Sequence, residues 1–153
     1  MGKRIDVRTI ENTTDLGAVS DLVSQLGYSG SPDKIRDRLV QLLDHPDHRV
    51  FIAYDGALTV GWIHVFMSLR VESDPMAEIG GLIVDERYRR QGIGHELVKT
   101  AIHWARDRNI HRIRVRCNSL RTDSHRFYEQ LGFQQIKHQH VYHIDASPGL
   151  SPD

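Results

Sequence analysis

No apolar run in this chain approaches the roughly 20 residues that a membrane-spanning helix requires. The charged start Met1-Gly2-Lys3-Arg4-Ile5-Asp6 leads into no signal-peptide apolar stretch, and Asp6 stands where an N-myristoylation signal wants Ser or Thr. Membrane insertion and secretion are therefore not expected. Cysteine is nearly absent. Cys117 alone cannot form an intramolecular disulfide or a cysteine-based zinc site, which suits a reducing, cytoplasmic setting. An excess of one charge is also missing: 20 Lys and Arg balance 20 Asp and Glu, so a nucleic-acid partner is not expected. Repeats, linkers and low-complexity segments are lacking too. What is there is the material of one core: 153 residues, 39% hydrophobic against 26% charged, with 4 Phe, 5 Tyr and 2 Trp, which excludes a disordered chain and leaves room for a single domain.

The overall balance hides a local asymmetry. Between Asp85 and Arg116 nine Lys or Arg stand against four Asp or Glu, so an anionic ligand is favoured there. Upstream, Ile5, Val7 and Thr9 alternate with Asp6, Arg8 and Ile10 as in a strand. Leu16, Val19, Leu22, Val23 and Leu26 form the stripe of a helix over 15–26, capped by Thr13 or Thr14 and stopped at Gly27. Ser31-Pro32 opens a second helix, carrying Ile35, Leu39, Leu42 and Leu43 and ending before His45-Pro46. Residues 50–54 and 60–69 flank Asp55-Gly56 as a hairpin. A turn at Ser73-Asp74-Pro75 leads to a third strand over 77–84.

Ile93, Leu97, Ala101 and Ala105 recur every fourth residue and predict a helix over 92–108. Residues 111–118 read as a strand with Ile113, Val115 and Cys117 inward and Arg112, Arg114 and Arg116 on a wet face. Thr122 or Asp123 caps a short helix to Leu131, Gly132 ends it, and 133–144 reads as one or two closing strands. The expected order is β-α-α-β-β-β-α-β-α-β-β, an α/β fold with a mixed, mostly antiparallel sheet and helices on both faces, in one domain over 1–145. Residues 146–153, with two Pro and one Gly, read as a flexible C-terminal tail.

The segment Val84-Asp85-Glu86-Arg87-Tyr88-Arg89-Arg90-Gln91-Gly92-Ile93-Gly94 carries the most chemistry. A strand enters a turn with three arginines, and two glycines then lead into an amphipathic helix. The unpaired amides at a helix start, at the positive end of its dipole, suit a phosphate that glycines allow to approach. Gly-Lys-Ser/Thr is absent, and Leu97 replaces the third small residue of a dinucleotide fingerprint, so neither common nucleotide motif fits. Downstream stand Asn118 and His125-Arg126-Phe127-Tyr128-Glu129-Gln130-Leu131-Gly132-Phe133. Arg89-x-x-Gly92-x-Gly94 at a strand-to-helix junction, followed by Asn118 and Phe-Tyr-Glu-Gln-Leu-Gly-Phe, resembles the paired motifs of the Gcn5-related N-acetyltransferase (GNAT) family, and the resemblance covers nearly the whole chain. Glu86 departs from it where many relatives have Pro, which concerns loop stiffness.

The resemblance implies acetyl-CoA as co-substrate, with no metal, and direct attack of an amine on the thioester. It implies that the backbone of Leu82, Ile83 and Val84 holds the pantetheine arm, that the loop amides of Arg89, Arg90, Gln91, Gly92, Ile93 and Gly94 hold the pyrophosphate, and that Asn118, at the end of a neighbouring strand that splays away, bonds the arm or a water beside it; the plainer reading of Asn118 is a turn residue. Gly80-Gly81 either helps open that splay or forms an ordinary bulge.

It further implies that Tyr128 protonates the leaving thiolate and that Glu78 serves the amine, as a base through water or as a charge anchor. Each has a plainer reading, Tyr128 as a core residue and Glu78 as an exposed strand residue. Cys117 is expected in the core, not as a nucleophile. His138, His140 and His143 cannot share one strand face, so they are read as polar strand residues, and His64 and His125 could border the acceptor site. The acceptor is a small-molecule amine or a protein amino group, and Tyr28-Ser29-Gly30 with 70–75 would line its site. A homodimer through the C-terminal strands is expected. The rival function is a CoA-binding sensor or interaction module without turnover.

Overall fold

The computed structural model describes residues 4–11, 13–25 and 30–149, which form two compact units, 1–116 and 117–153. The first unit holds a five-stranded sheet in the order β1-β2-β3-β4-β5. Its strands are β1 (Ile5–Thr9), β2 (His48–Asp55), β3 (Leu58–Arg70), β4 (Ser73–Val84) and β5 (Ile113–Val115). The first four run antiparallel to their neighbours, and β5 joins β4 in parallel. Its helices are α1 (Thr13–Gln25), α2 (Pro32–Leu43) and α3 (Ile93–Arg106). The second unit contains α4 (Thr122–Gln130).

Two apolar layers sandwich the sheet. Leu16 and Val19 of α1 and Ile35 and Leu39 of α2 pack on Val50, Ile52 and Tyr54 of β2, burying the alternate residues that the strand pleat turns to that side. The opposite face receives α3 through Ile93, Leu97, Val98, Ala101, Trp104 and Ala105. Gly61 makes that approach close: a Cβ there would lie 2.9 Å from the Ile83 carbonyl oxygen and 3.2 Å from a Leu97 methyl. A buried polar lock closes the α1 side, where Asp15 accepts hydrogen bonds from the Glu11 amide at 3.0 Å and from the Tyr54 hydroxyl.

Several sequence expectations are found in place. Ser31 caps α2 by accepting from the Lys34 amide, with Pro32 in its first turn. Gly56 supplies the positive φ, 62°, of the β2–β3 reversal. Gly132, at φ 96°, follows the end of α4. Leu26, Gly27, Tyr28 and Ser29 lie outside the described residues, as do the side chains of Thr13 and Thr14.

Other expectations are corrected. The β3–β4 reversal falls at Val71-Glu72, while Ser73, Asp74 and Pro75 belong to β4. Pro75 sits where the register slips between Ser68 and Arg70, a place that tolerates a missing N–H. The strand expected over 111–118 is only Ile113–Val115. Residues 133–148 carry no strand, so the one or two closing strands expected over 133–144 are not formed among the described residues.

Candidate active site

The strand-to-helix junction is braced before it reaches the glycines. The Asp85 amide donates to the Val60 carbonyl at 2.8 Å. The Asp85 carboxylate accepts from the Arg87 amide at 2.9 Å and from its guanidinium at 3.2 and 3.0 Å, which holds that carboxyl below the usual carboxylate range. Tyr88 is buried, and its hydroxyl donates to Asp55 at 2.9 Å, tying the loop to the β2–β3 hairpin. All three arginines are exposed, and Arg87 is engaged with Asp85.

The chain then makes two left-handed residues, Arg90 at φ 62° and Gly92 at φ 82°. A non-glycine residue there costs about 1–2 kcal/mol, a local strain characteristic of ligand-binding loops. Because the first intrahelical bond runs from the Glu96 amide to the Gly92 carbonyl at 3.0 Å, the amides of Ile93, Gly94 and His95 have no intrahelical acceptor. These donors stand beside the exposed Arg89 and Arg90, with Gln91 between the two left-handed residues, an arrangement suited chemically to an anionic group.

Upstream of the loop, Leu82, Ile83 and Val84 pair with Ile63, Trp62 and Gly61 of β3. On the other edge the ladder to β5 stops at Ile79–Val115. Gly80 is the extra residue of a β-bulge, since His64 pairs with Gly81 and Val65 with Ile79. The bulge and the end of the parallel ladder therefore coincide.

Glu78, one of the few buried charged residues, stands on β4 just before this bulge. Its Oε2 accepts from Arg114 at 3.2 Å and its Oε1 meets Arg116 Nε at 3.1 Å. The wet-face expectation is corrected for Arg114, whose side chain is only 11% exposed: it lies opposite a buried carboxylate in the β4–β5 register. Sequence reasoning missed this pair because its signal is cross-strand, residue 78 against residue 114.

In the second unit, Asn118 Oδ1 accepts from the Leu120 amide at 2.9 Å, and its carbonyl accepts from the Arg121 amide at 3.0 Å. It is a turn residue whose side-chain NH₂ remains for another acceptor. Tyr128 lies edge-on to Phe127 and Phe133 at ring distances of 5.0 and 5.4 Å. Burial, and then the neighbouring Cys117, push its phenol up, so it carries its proton at working pH. Burial also raises the Cys117 thiol, which keeps it protonated. His125 Nε2 contacts the Asn118 carbonyl at 2.8 Å, and His138 pairs with Gln135 at 2.8 Å. Among the described residues no group of three or more His, Cys, Asp or Glu is placed to hold a metal ion.

Comparison with known proteins supplies the context. Residues 17–133 match the sequence model of the "Acetyltransferase (GNAT) family". Aminoglycoside N(6')-acetyltransferase type 1 of Serratia marcescens is 30% identical over 129 residues, covering 80% of this chain and 88% of that protein. N-alpha-acetyltransferase 30 of Xenopus laevis is 29% identical over 100 residues, 65% of this chain but 37% of that protein. Among solved structures, AAC(6')-Iy in complex with the bisubstrate analogue CoA-S-monomethyl-acetylneamine superposes with a TM-score of 0.85 at 19% identity, covering 94% of this chain and 99% of that one, a likeness of fold.

Proposed function

Because the chain belongs to the GNAT acetyltransferase family and is an acetyl-CoA-dependent N-acetyltransferase, we propose that its acceptor is a small cationic primary amine, acetylated by direct attack on the thioester. The observation that carries the cofactor side is the loop from Arg89 to Gly94, with its two left-handed residues and the free amides that begin α3. The backbone of Leu82, Ile83 and Val84 would hold the pantetheine arm, with Asn118 as a further partner. Acetyl-CoA supplies the activated acetyl group, and the chain supplies positioning and proton management.

Tyr128, which keeps its proton, donates it to the departing thiolate. Glu78 serves the amine side, as a base through water or as a charge anchor. The class of the acceptor rests on two supports: the Serratia relative is named for aminoglycosides, which are amines, and Glu72 at the β3–β4 reversal and Asp74 at the start of β4 are exposed. A protein amino group is the second reading, favoured by the likeness to N-alpha-acetyltransferase 30. We assign the activity to one domain over 1–145, working in the cytoplasm as a homodimer; among the described residues no helix is long and apolar enough to cross a membrane.

A thiol-release assay against a panel of polyamines, amino sugars, amino-acid derivatives and peptides tests this. Turnover with at least one small amine is expected. Binding of coenzyme A by calorimetry without turnover on any amine would return the sensor reading. Glu78→Gln is expected to depress kcat/KM for the amine far more than it changes acetyl-CoA binding. If Glu78 is a base, the variant regains activity as pH rises toward the amine's own pKa of about 10. If it anchors charge, the loss persists while the amine stays protonated. Wild-type rates across that range would remove both roles.

A further inference from the structure

Three histidines that the reaction above does not use form a row on one face of the first unit. The β2–β3 register sets His48 opposite Phe66 and Val50 opposite His64, which brings the three rings together. His48 Nδ1 lies 2.9 Å from His64 Nε2, and Phe66 stacks at 5.2 Å on His48 and 5.4 Å from His64. His45, exposed in the turn after α2, meets His48 edge-on at 4.5 Å. Two imidazole nitrogens at hydrogen-bond distance share one proton.

The inner end of the row rests on the site. His64 Nδ1 lies 2.7 Å from where a Cβ on Gly80 would be, so the ring covers the exposed bulge of β4, two residues after Glu78 and two before Leu82. That is also where the ladder to β5 ends. Phe66, in contact with both histidines, pairs directly with Glu78.

We propose that His64 Nδ1 takes the amine's proton during acetyl transfer and that His48 is the positioning residue that passes it outward, an inference that rests on the acetyltransferase reading. The ammonium N–H bond breaks and its proton moves to His64 Nδ1, while the Nε2 proton of His64 moves to His48 Nδ1 and a proton leaves His48 Nε2 for water. The freed nitrogen pair forms the amide C–N bond, the C–S bond breaks with its pair on sulfur, and Tyr128 protonates that sulfur. Of the ammonium's three protons, one stays on the amide, one leaves through the histidines, and one replaces the proton Tyr128 gave.

Burial, then His48, hold the His64 imidazole down to about 4, so it rests neutral with a lone pair on one nitrogen; the same shift makes it a weak acceptor, and the proton it takes must therefore pass on to His48 in the same step. His48 is also lowered, by burial and then by His45, with Asp47 a smaller opposing influence. The other groups about the pair are His45 from the turn before β2 and Glu78 with Arg114 from β4 and β5. Both Glu78 oxygens are engaged by guanidinium groups, whereas His64 Nδ1 has no hydrogen bond among the described residues.

Nitrogen-15 NMR of the full chain is the first test. His64 is expected to stay neutral in the Nε2–H tautomer from about pH 5 to about pH 8; titration near its ordinary value, or a proton on Nδ1, overturns the proposal. With the best amine of the panel, His64→Gln is expected to lower kcat by roughly 10²-fold near neutrality, with recovery as pH rises and unchanged acetyl-CoA binding. His48→Ala is expected to be rescued by added imidazole, which a purely structural role would not show. Wild-type kcat in His64→Gln, or no imidazole rescue of a folded His48→Ala, overturns the relay and leaves the acetyltransferase reading intact. Failure of the wild type on every amine removes both.

Discussion

Tyr128 sits between Phe127 and Phe133 with its phenol pushed up by burial, the protonated state that an acid must occupy before it acts. Tyr128→Phe keeps the ring contacts and deletes the proton. The expected outcome is a fall in kcat of roughly 10- to 10⁴-fold with acetyl-CoA affinity retained. Normal turnover would make Tyr128 a core residue, and a large affinity loss would make it a binding residue. His64 yields a second residue-scale prediction, through linkage. Its folded-state pKa of about 4 lies below the ordinary 6.5, so the unfolded chain binds the proton more readily. The contribution to stability is complete above about 6.5 and is lost as pH falls toward about 4. Urea midpoints are expected to drop over that window, and His64→Gln to flatten the drop. An identical slope in the variant would assign the acid loss to other groups.

Among the elements, β4, the loop and α3 form one device. The strand ends in a capped turn, Arg90 and Gly92 reverse the chain, and the helix begins with free amides. Nothing lies within 4 Å of a Cβ on Gly92, so a side chain there reaches open space beside those donors. Asn and Asp both tolerate the left-handed region and differ mainly in charge. Gly92→Asp is therefore expected to abolish coenzyme A binding in calorimetry while Gly92→Asn retains a measurable part of it. Equal affinity of Gly92→Asp and wild type would remove the loop from the binding argument. Much of this device was legible in the chain, because the 3.6-residue period of Ile93, Leu97 and Ala101 and the Asp55-Gly56 turn are local signals. The rest depends on pairings that no local window contains. Arg114 alternates as an outward residue should and is covered only because Glu78 is its neighbour across the ladder. His48 and His64 meet through the hairpin register. Pro75 reads as a turn residue yet occupies a register slip inside β4, and the positive φ of Arg90 falls on a residue type that does not announce it.

For the whole molecule, the informative contrast is between a sheet whose consecutive strands are all paired in the first unit and a segment of the second unit with strand-like alternation and no ladder. Residues 133–144 carry no strand, and Ile136, Val141, Tyr142 and Ile144 are 76%, 85%, 86% and 72% exposed. Large apolar side chains gathered in one short stretch mark an interaction surface more often than scattered ones do. An alternating segment without a partner strand is a template for pairing with another chain, and among identical chains a two-fold arrangement lets the same segment serve both copies. Sedimentation is therefore expected to show a species of twice the 17.6 kDa chain mass, with its proportion rising with concentration. Val141→Lys with Tyr142→Lys should shift it to monomer, because two ammonium groups brought into an apolar seam would have to be desolvated without partners. Neither residue belongs to the loop from Arg89 to Gly94, so calorimetric affinity for coenzyme A should survive the change. A wild-type chain that sediments only as monomer at working concentration refutes the pairing, and a dimer that persists in the double variant moves the interface to another surface.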